Sequence, residues 1–335
     1  MYANKMRKDF TLATYRRLLE ALVDKGFSFI KMCEINANKL MQNDAKRLVL
    51  LRQDVDRLPA NSLAIAKIQS ELGIKSTYYF RIVPQCFDPI VIEQIAGMGH
   101  EVGYHYEDMS FAWAKLKIQD SKFKIQGEEL EKKLAGIAIE SFARNLEKLR
   151  KIAPVKTICM HGSPLSRWDS RLLWKYYDYH DFGIIGEPYF DVDFDKVLYL
   201  TDTGRRWDGE NVSVRDKAEG GRLKAEGKGT EKKAESGERR AKSENPYKDW
   251  KVIPIKYRTH TDVSPSPIPP FSLSQYKFHS TTDIINAAEN GQLPDKIMMT
   301  FHPQRWTDKP LPWVKELVWQ NLKNVGKYFL VRFRD

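Results

Sequence analysis

The sequence predicts an α/β protein built on a mostly parallel sheet of about seven strands. Three observations predict it. Strand-like and helix-like segments alternate along most of the chain. RLVLLRQDVD, residues 47–56, opens as a continuous apolar run, the mark of a strand covered on both faces. Several strand segments end in a polar group: Asp54 and Asp56, His105, His161, Asp202 and His302. Scattered surface residues would not all fall there, and in parallel barrels the C-terminal strand ends form the active-site face.

The elements follow in order. Residues 9–25 read as a helix because Leu12, Tyr15, Leu18, Leu19, Leu22 and Val23 recur at helical spacing. FSFIKM (27–32) alternates like a strand, and 47–56 is the second strand. Pro59 opens the helix PANSLAIAKIQSELG, which Gly73 stops. STYYFRI (76–82) is a strand, DPIVIEQIAGMG (88–99) a helix and HEVGYH (100–105) a strand. A long helix is expected over 126–151, with a buried stripe of Leu130, Leu134, Ile137, Phe142, Leu146 and Leu149. KTICMHG (156–162) is a strand, SRLLWKYY (170–177) a helix, and FGIIGEPY (182–189) and KVLYLTDT (196–203) are strands. TTDIINAAENG (281–291) is a helix, KIMMTFH (296–302) a strand, and LPWVKELVWQNLKNVGKYF (311–329) a closing helix.

One domain is expected from residues 1–216 and 276–335 together. The interval 217–275 reads as a low-complexity, disordered insertion. Its first part, 217–248, is rich in Gly, Lys and Glu and too poor in apolar residues to offset chain entropy. SPSPIPP (264–270) continues it as an extended connector, with WKVIPIKY (250–257) as a short strand candidate.

The 335 residues, 42 % hydrophobic, suffice for a sizeable core. The net charge is +11, of which 217–248 carries +4 with ten Lys or Arg against six Glu. A basic balance favours an anionic partner. No nucleic-acid motif or interleaved aromatic pattern accompanies it, so nucleic acid is not expected. Three cysteines are too few for a disulfide framework or a zinc ribbon. No apolar run is long enough for a signal peptide or a membrane span, and a cytoplasmic protein is the simplest expectation.

The chemistry-bearing residues have competing readings. Asp54 and Asp56 are two apart and share one side of a strand. Two carboxylates in a dry site need a cation or a shared proton. A metal would let one ligate while the other acts as base; equally, the pair could cap the helix at Pro59. His105 gains value only from its company, and His100, at a strand start, is discounted. His161 in CMHGSP is either a turn histidine or a ligand or donor. His302 in MMTFHPQRW suits protonation of a leaving amine. Arg305 and Trp306 follow it; Trp could stack on a sugar and Arg could hold an anion, or the Trp could pack in the core. In TDTGRRW, Arg205, Arg206 and Trp207 could bind a phosphate or a sugar acid, or form an exposed turn.

Together, LLRQDVDR, GMGHEVG with the following His105, and HPQRW resemble the motifs of the polysaccharide deacetylase family, the NodB-homology carbohydrate esterases. The likeness covers 47–110 well, and 156–205 and 280–330 loosely. It implies a distorted (β/α) barrel and a divalent metal, most often zinc, held by one Asp and two His. It implies a hydrolase acting on a non-peptide C–N amide bond, which removes acetyl from an N-acetylated sugar. A polysaccharide precursor, free or phosphate- or lipid-linked, is the expected substrate. A catalytically inactive sugar-binding barrel and an amidase on a non-sugar C–N bond are the alternatives. By resemblance Asp54 is the base, Asp56 and His105 are ligands, and His302 is the acid. The family's remaining ligand falls on Met109, whose thioether is a poor partner for such a site. His161 is the expected replacement, with Asp108 or Glu107 as alternatives. The family's third motif brings an Arg that orients the base, where this chain carries His161.

Overall fold

A computed structural model describes residues 8–35, 47–119, 125–162, 166–207 and 276–332. The expected insertion at 217–275, with its strand candidate, lies outside the described residues.

Seven strands form one sheet: β1 (Ser28–Ile30), β2 (Leu48–Val55), β3 (Thr77–Phe80), β4 (Glu101–Tyr106), β5 (Val155–Met160), β6 (Leu198–Thr201) and β7 (Lys296–Phe301). All pairings are parallel, in the order β5-β4-β3-β2-β7-β6. β1 pairs with the start of β2, from Ser28↔Leu48 to Ile30↔Leu50, and β3 takes over from Arg52. No ladder among the described residues joins the edge strands β5 and β6, so the pairings stop short of the expected barrel.

The principal helices are α1 (Leu12–Asp24), α2 (Pro59–Glu71), α3 (Pro89–Gly97), α4 (Asp108–Gln119), α5 (Gly127–Arg150), the one-turn α6 (Pro188–Asp191), α7 (Thr281–Glu289) and α8 (Pro310–Arg332). Local chemistry fixes their starts. Thr11 accepts from the Thr14 N–H at the head of α1, and Asp88 accepts from Ile90 and Val91 at the head of α3. Ser280 and Asp283 form a capping box on α7. α1 buries Tyr15, Leu18, Leu19 and Leu22. Each such side chain contributes about 1.5–3 kcal/mol relative to exposure. Among the described residues no helix is long and apolar enough to cross a membrane.

Side chains along a strand alternate between two faces. From β2, Val49, Leu51 and Val55 join the larger core cluster, where they meet helix residues such as Leu18, Ile65 and Ile92. Leu48 and Leu50 join a smaller cluster with Tyr79, Cys159, Met298, Val192 and Phe194. The second set continues along β2 as Arg52, Asp54 and Asp56.

The stretch after β4 forms a helix, α4, and Met109 is fully buried in the larger core cluster. Two expectations change. Residues 182–189 form a single bridge, Thr157↔Gly186, and then α6 rather than a strand. Residues 170–175 form a 3-10 helix.

Gly103 shows how tightly the inner face is built. It pairs with Tyr79, and a Cβ placed on it would lie 2.4 Å from two atoms of that ring. Gly103→Ala is therefore expected to destabilise by about 1–3 kcal/mol, because the Tyr79 ring must move and its hydroxyl bond to Thr157 break. Gly136→Ala inside α5, where the nearest atom is 4.0 Å away, is expected to stabilise by about 0.5–1 kcal/mol. Denaturant midpoints of the two variants test both.

Candidate metal centre

Alternation delivers the polar strand ends to one place. Asp54 and Asp56 continue the inner face of β2. His105 lies on β4 opposite Cys159 of β5, and His161 is two residues further on. His302 follows β7 in the same way. An Asp56 oxygen, a His105 nitrogen and a His161 nitrogen all lie within 4.8 Å of one another.

The tautomers follow from the partners. The His105 Nδ1 lies 2.9 Å from the Cys159 carbonyl oxygen, which can only accept, so Nδ1 carries the proton. The His161 Nδ1 lies 3.2 Å from a Glu107 carboxylate oxygen and is fixed the same way. Both Nε2 atoms then face Asp56 Oδ1, at 3.6 Å and 3.4 Å. Those separations are too long for hydrogen bonds. They are close to the edge, about 3.3 Å, of a tetrahedron with metal–ligand bonds of about 2.0–2.1 Å. Asp56 Oδ1 is buried and has no hydrogen-bond partner among the described residues. A buried carboxylate oxygen of this kind, facing two imidazole nitrogens, fits a cation.

Each donor has a support. Arg81 grips Glu107 through Nε and Nη2, at 2.6 Å and 2.8 Å, and donates from Nη1 to the Asp56 carbonyl. Burial alone would raise the Glu107 pKa, but His161 and Arg81 outweigh it and hold the carboxyl below its ordinary range. Gln304 donates to Asp56 Oδ2 at 3.1 Å. For Asp56 burial is likewise outweighed, by His161, His105 and His302, and its pKa lies well below the ordinary value. Such partners hold a ligand's tautomer and orientation.

Two further groups flank the centre. Arg52 forms a bidentate pair with Asp54, Nε to Oδ1 at 2.6 Å and Nη2 to Oδ2 at 2.5 Å, and both residues are buried. Burial works to raise the Asp54 pKa; Arg52, with His105 and His302, overcomes it, and the carboxylate stays ionised at neutral pH. His302 Nδ1 lies 2.6 Å from Asp202, with its Nε2 3.8 Å from Asp56 Oδ2. Asp202 is fully buried and also accepts from Arg305 and Trp306. A second group, Asp54, His105 and Cys159, also lies within metal-binding range. It is the poorer set: burial pushes the Cys159 thiol well up, against the thiolate a metal needs.

Other predicted site residues lie elsewhere. Asp108 is fully buried, and its carboxylate accepts from Tyr104, Ser141 and Asn145 on the helix side. It belongs to neither metal-binding group. Trp207 and Trp306 are core residues that stack with Phe10, Phe301 and each other, so neither offers a face to a sugar. Arg205 is buried against the Phe10 and Trp313 rings and donates to the Trp313 carbonyl. Arg305 is buried against Asp202. Arg206 is exposed. The residues that sequence reasoning left without a role are Arg52, Arg81 and Asp202. An Arg two positions before an Asp on a strand was a usable signal for the first.

Compared with protein-family models, the chain matches none, and no curated protein or solved structure matches it either.

Asp108 supplies a pH test. Burial raises its pKa from 3.8 to about 6, only partly offset by the Ser141, Tyr104 and Asn145 hydrogen bonds. A carboxyl with a raised folded pKa contributes stability that is complete below pH 3.8 and lost as pH rises through about 6. The wild type should therefore lose about 3 kcal/mol relative to Asp108→Asn between pH 4 and pH 7. Unfolding curves of the two proteins across that window check it.

Proposed function

We propose that this chain is a metal-dependent carbohydrate N-deacetylase of the NodB-homology type, its sheet forming the wall of a distorted (β/α) barrel. The observation that carries the reading is that one Asp56 carboxylate oxygen and one nitrogen each of His105 and His161 all lie within 4.8 Å of one another. The resemblance of the strand-end motifs supplies the reaction class and the sugar.

A divalent cation held by Asp56, His105 and His161 would supply Lewis acidity there, lowering the pKa of a water and polarising an amide carbonyl. One carboxylate and two imidazoles fit zinc with positions left open. Asp54, kept ionised by Arg52, takes the proton of the attacking water. His302, oriented through Nδ1 by Asp202, gives a proton from Nε2 to the departing amine nitrogen. Acetate and a free amino sugar result. Arg206 is the predicted phosphate contact that remains at the surface.

A second reading, an amidase on a non-sugar C–N bond, draws support from the burial of Trp207 and Trp306, which removes the expected stacking faces. Hydrolysis of N-acetyl sugars beside simple amides separates the two.

The test joins metal content to turnover. Purified wild type should hold about one divalent ion per chain, lost in Asp56→Ala and His161→Ala and kept in Asp108→Ala. Asp54→Asn should keep the metal and lose about 10²–10⁴-fold in kcat. A metal-free, folded wild type, or an unchanged kcat in Asp54→Asn, would overturn the proposal.

A further inference from the structure

The C-terminal helix α8 is inverted. Its inward face carries polar groups beside Trp313: Glu316 and Gln320 are buried, Gln320 donates to Glu316, and Glu316 pairs with Arg57 at 2.6 Å. Its outward face is apolar. Leu311 is 83 % exposed, Leu322 61 %, Val318 53 %, and Val314 and Trp319 each 48 %. Leu311, Val314, Val318 and Leu322 are spaced three, four and four apart, so they form one stripe. It lies opposite Trp313, Glu316 and Gln320, as helical geometry requires. An amphipathic helix normally turns its apolar side to the core. A continuous apolar stripe facing out marks an interaction surface.

Charge identifies the occupant. From Lys309 to Arg332 the sequence has five Lys or Arg and one acidic residue. That residue is Glu316, which Arg57 neutralises on the buried side. Lys309, Lys315 and Lys323 are exposed beside the stripe, and Lys323 lies 5.1 Å over the Trp319 ring. A second copy would set lysines against lysines. Leu, Val and Trp flanked by Lys match the headgroup region of an anionic bilayer, where the apolar side enters the acyl boundary and the lysines meet phosphates.

We propose that α8 docks the protein, in the plane of the surface, on membranes rich in anionic phospholipid. This rests on the helix alone and stands apart from the metal centre. Arg57, the residue after Asp56, lies under the inner side of α8. Docking would therefore hold the strand ends roughly one helix diameter, about 10 Å, from the lipid.

Vesicle flotation of the full chain tests it. Wild type should float with phosphatidylcholine vesicles containing about 30 % phosphatidylglycerol, not with pure phosphatidylcholine, and should be released as salt rises from about 0.1 M to about 0.5 M. The combined variant Leu311→Ser, Val318→Ser, Leu322→Ser should lower the bound fraction about tenfold with an unchanged far-ultraviolet circular dichroism spectrum. Should that variant misfold, Lys309→Glu with Lys315→Glu is expected to lower binding to the anionic vesicles alone. Wild type that stays in solution with anionic vesicles would overturn the proposal. So would variants that bind as wild type does, or a wild-type dimer that the stripe substitutions convert to monomer.

Discussion

A parallel strand can show only every second side chain to one face, and the centre depends on that constraint. Along β2 and just past it the inner positions run Leu48, Leu50, Arg52, Asp54 and Asp56, passing from apolar cluster to charged rim over five positions. β4 runs Glu101, Gly103, His105 and Glu107, and β5 runs Thr157, Cys159 and His161, in step with it. The registers Asp54↔Tyr79, Tyr79↔Gly103 and His105↔Cys159 lock these rows together. A slip of one residue in any ladder would turn its ligand toward the helices. Gly103 leaves the space that the Tyr79 ring fills, so the smallest residue in the sheet helps hold the register beneath His105.

Buried charge is the second constraint. Three arginine–carboxylate pairs, Arg52–Asp54, Arg81–Glu107 and Arg305–Asp202, surround the centre. Such pairs add little net stability, since desolvation offsets their attraction, but losing one partner costs about 3–5 kcal/mol. Their value is positional. Each leaves a carboxylate ionised where burial would protonate it, and two of them then fix imidazoles: Glu107 fixes His161 and Asp202 fixes His302. Arg52 acts from the same strand as Asp54, so the orientation of this carboxylate does not depend on a loop.

The fold class and the strand ends were legible because they rest on local signals. Alternation, apolar runs, Pro59 and the polar terminations of β2, β4, β5 and β7 are all within a few residues of one another. The Arg81–Glu107 and Asp202–His302 pairs were not legible, because their members are 26 and 100 residues apart in sequence. Trp207 and Trp306 misled for a different reason. An aromatic beside a strand end suits a sugar face or a core equally by type, and the choice was made by Phe10, Tyr15 and Phe301 converging from distant segments. The polar EDMS leads into α4, whose buried side is set by packing against α5.

Met109 ties these points together. With α4 beginning at Asp108, directly after the strand end, residue 109 falls on the helix side of the sheet and packs into the larger core. An imidazole there would have to leave that packing to reach Asp56. His161 needs no such departure. Its backbone N–H donates to the Tyr106 carbonyl at 2.9 Å, which extends the β4–β5 pairing one step past the strand. The imidazole therefore arrives on the same face as His105, with ring centroids 5.1 Å apart and planes nearly perpendicular. Both Nε2 atoms then lie near Asp56 Oδ1, at 3.6 Å for His105 and 3.4 Å for His161. A thioether at 109 is thus compatible with a complete set of nitrogen and oxygen donors, because the second imidazole comes from the neighbouring strand.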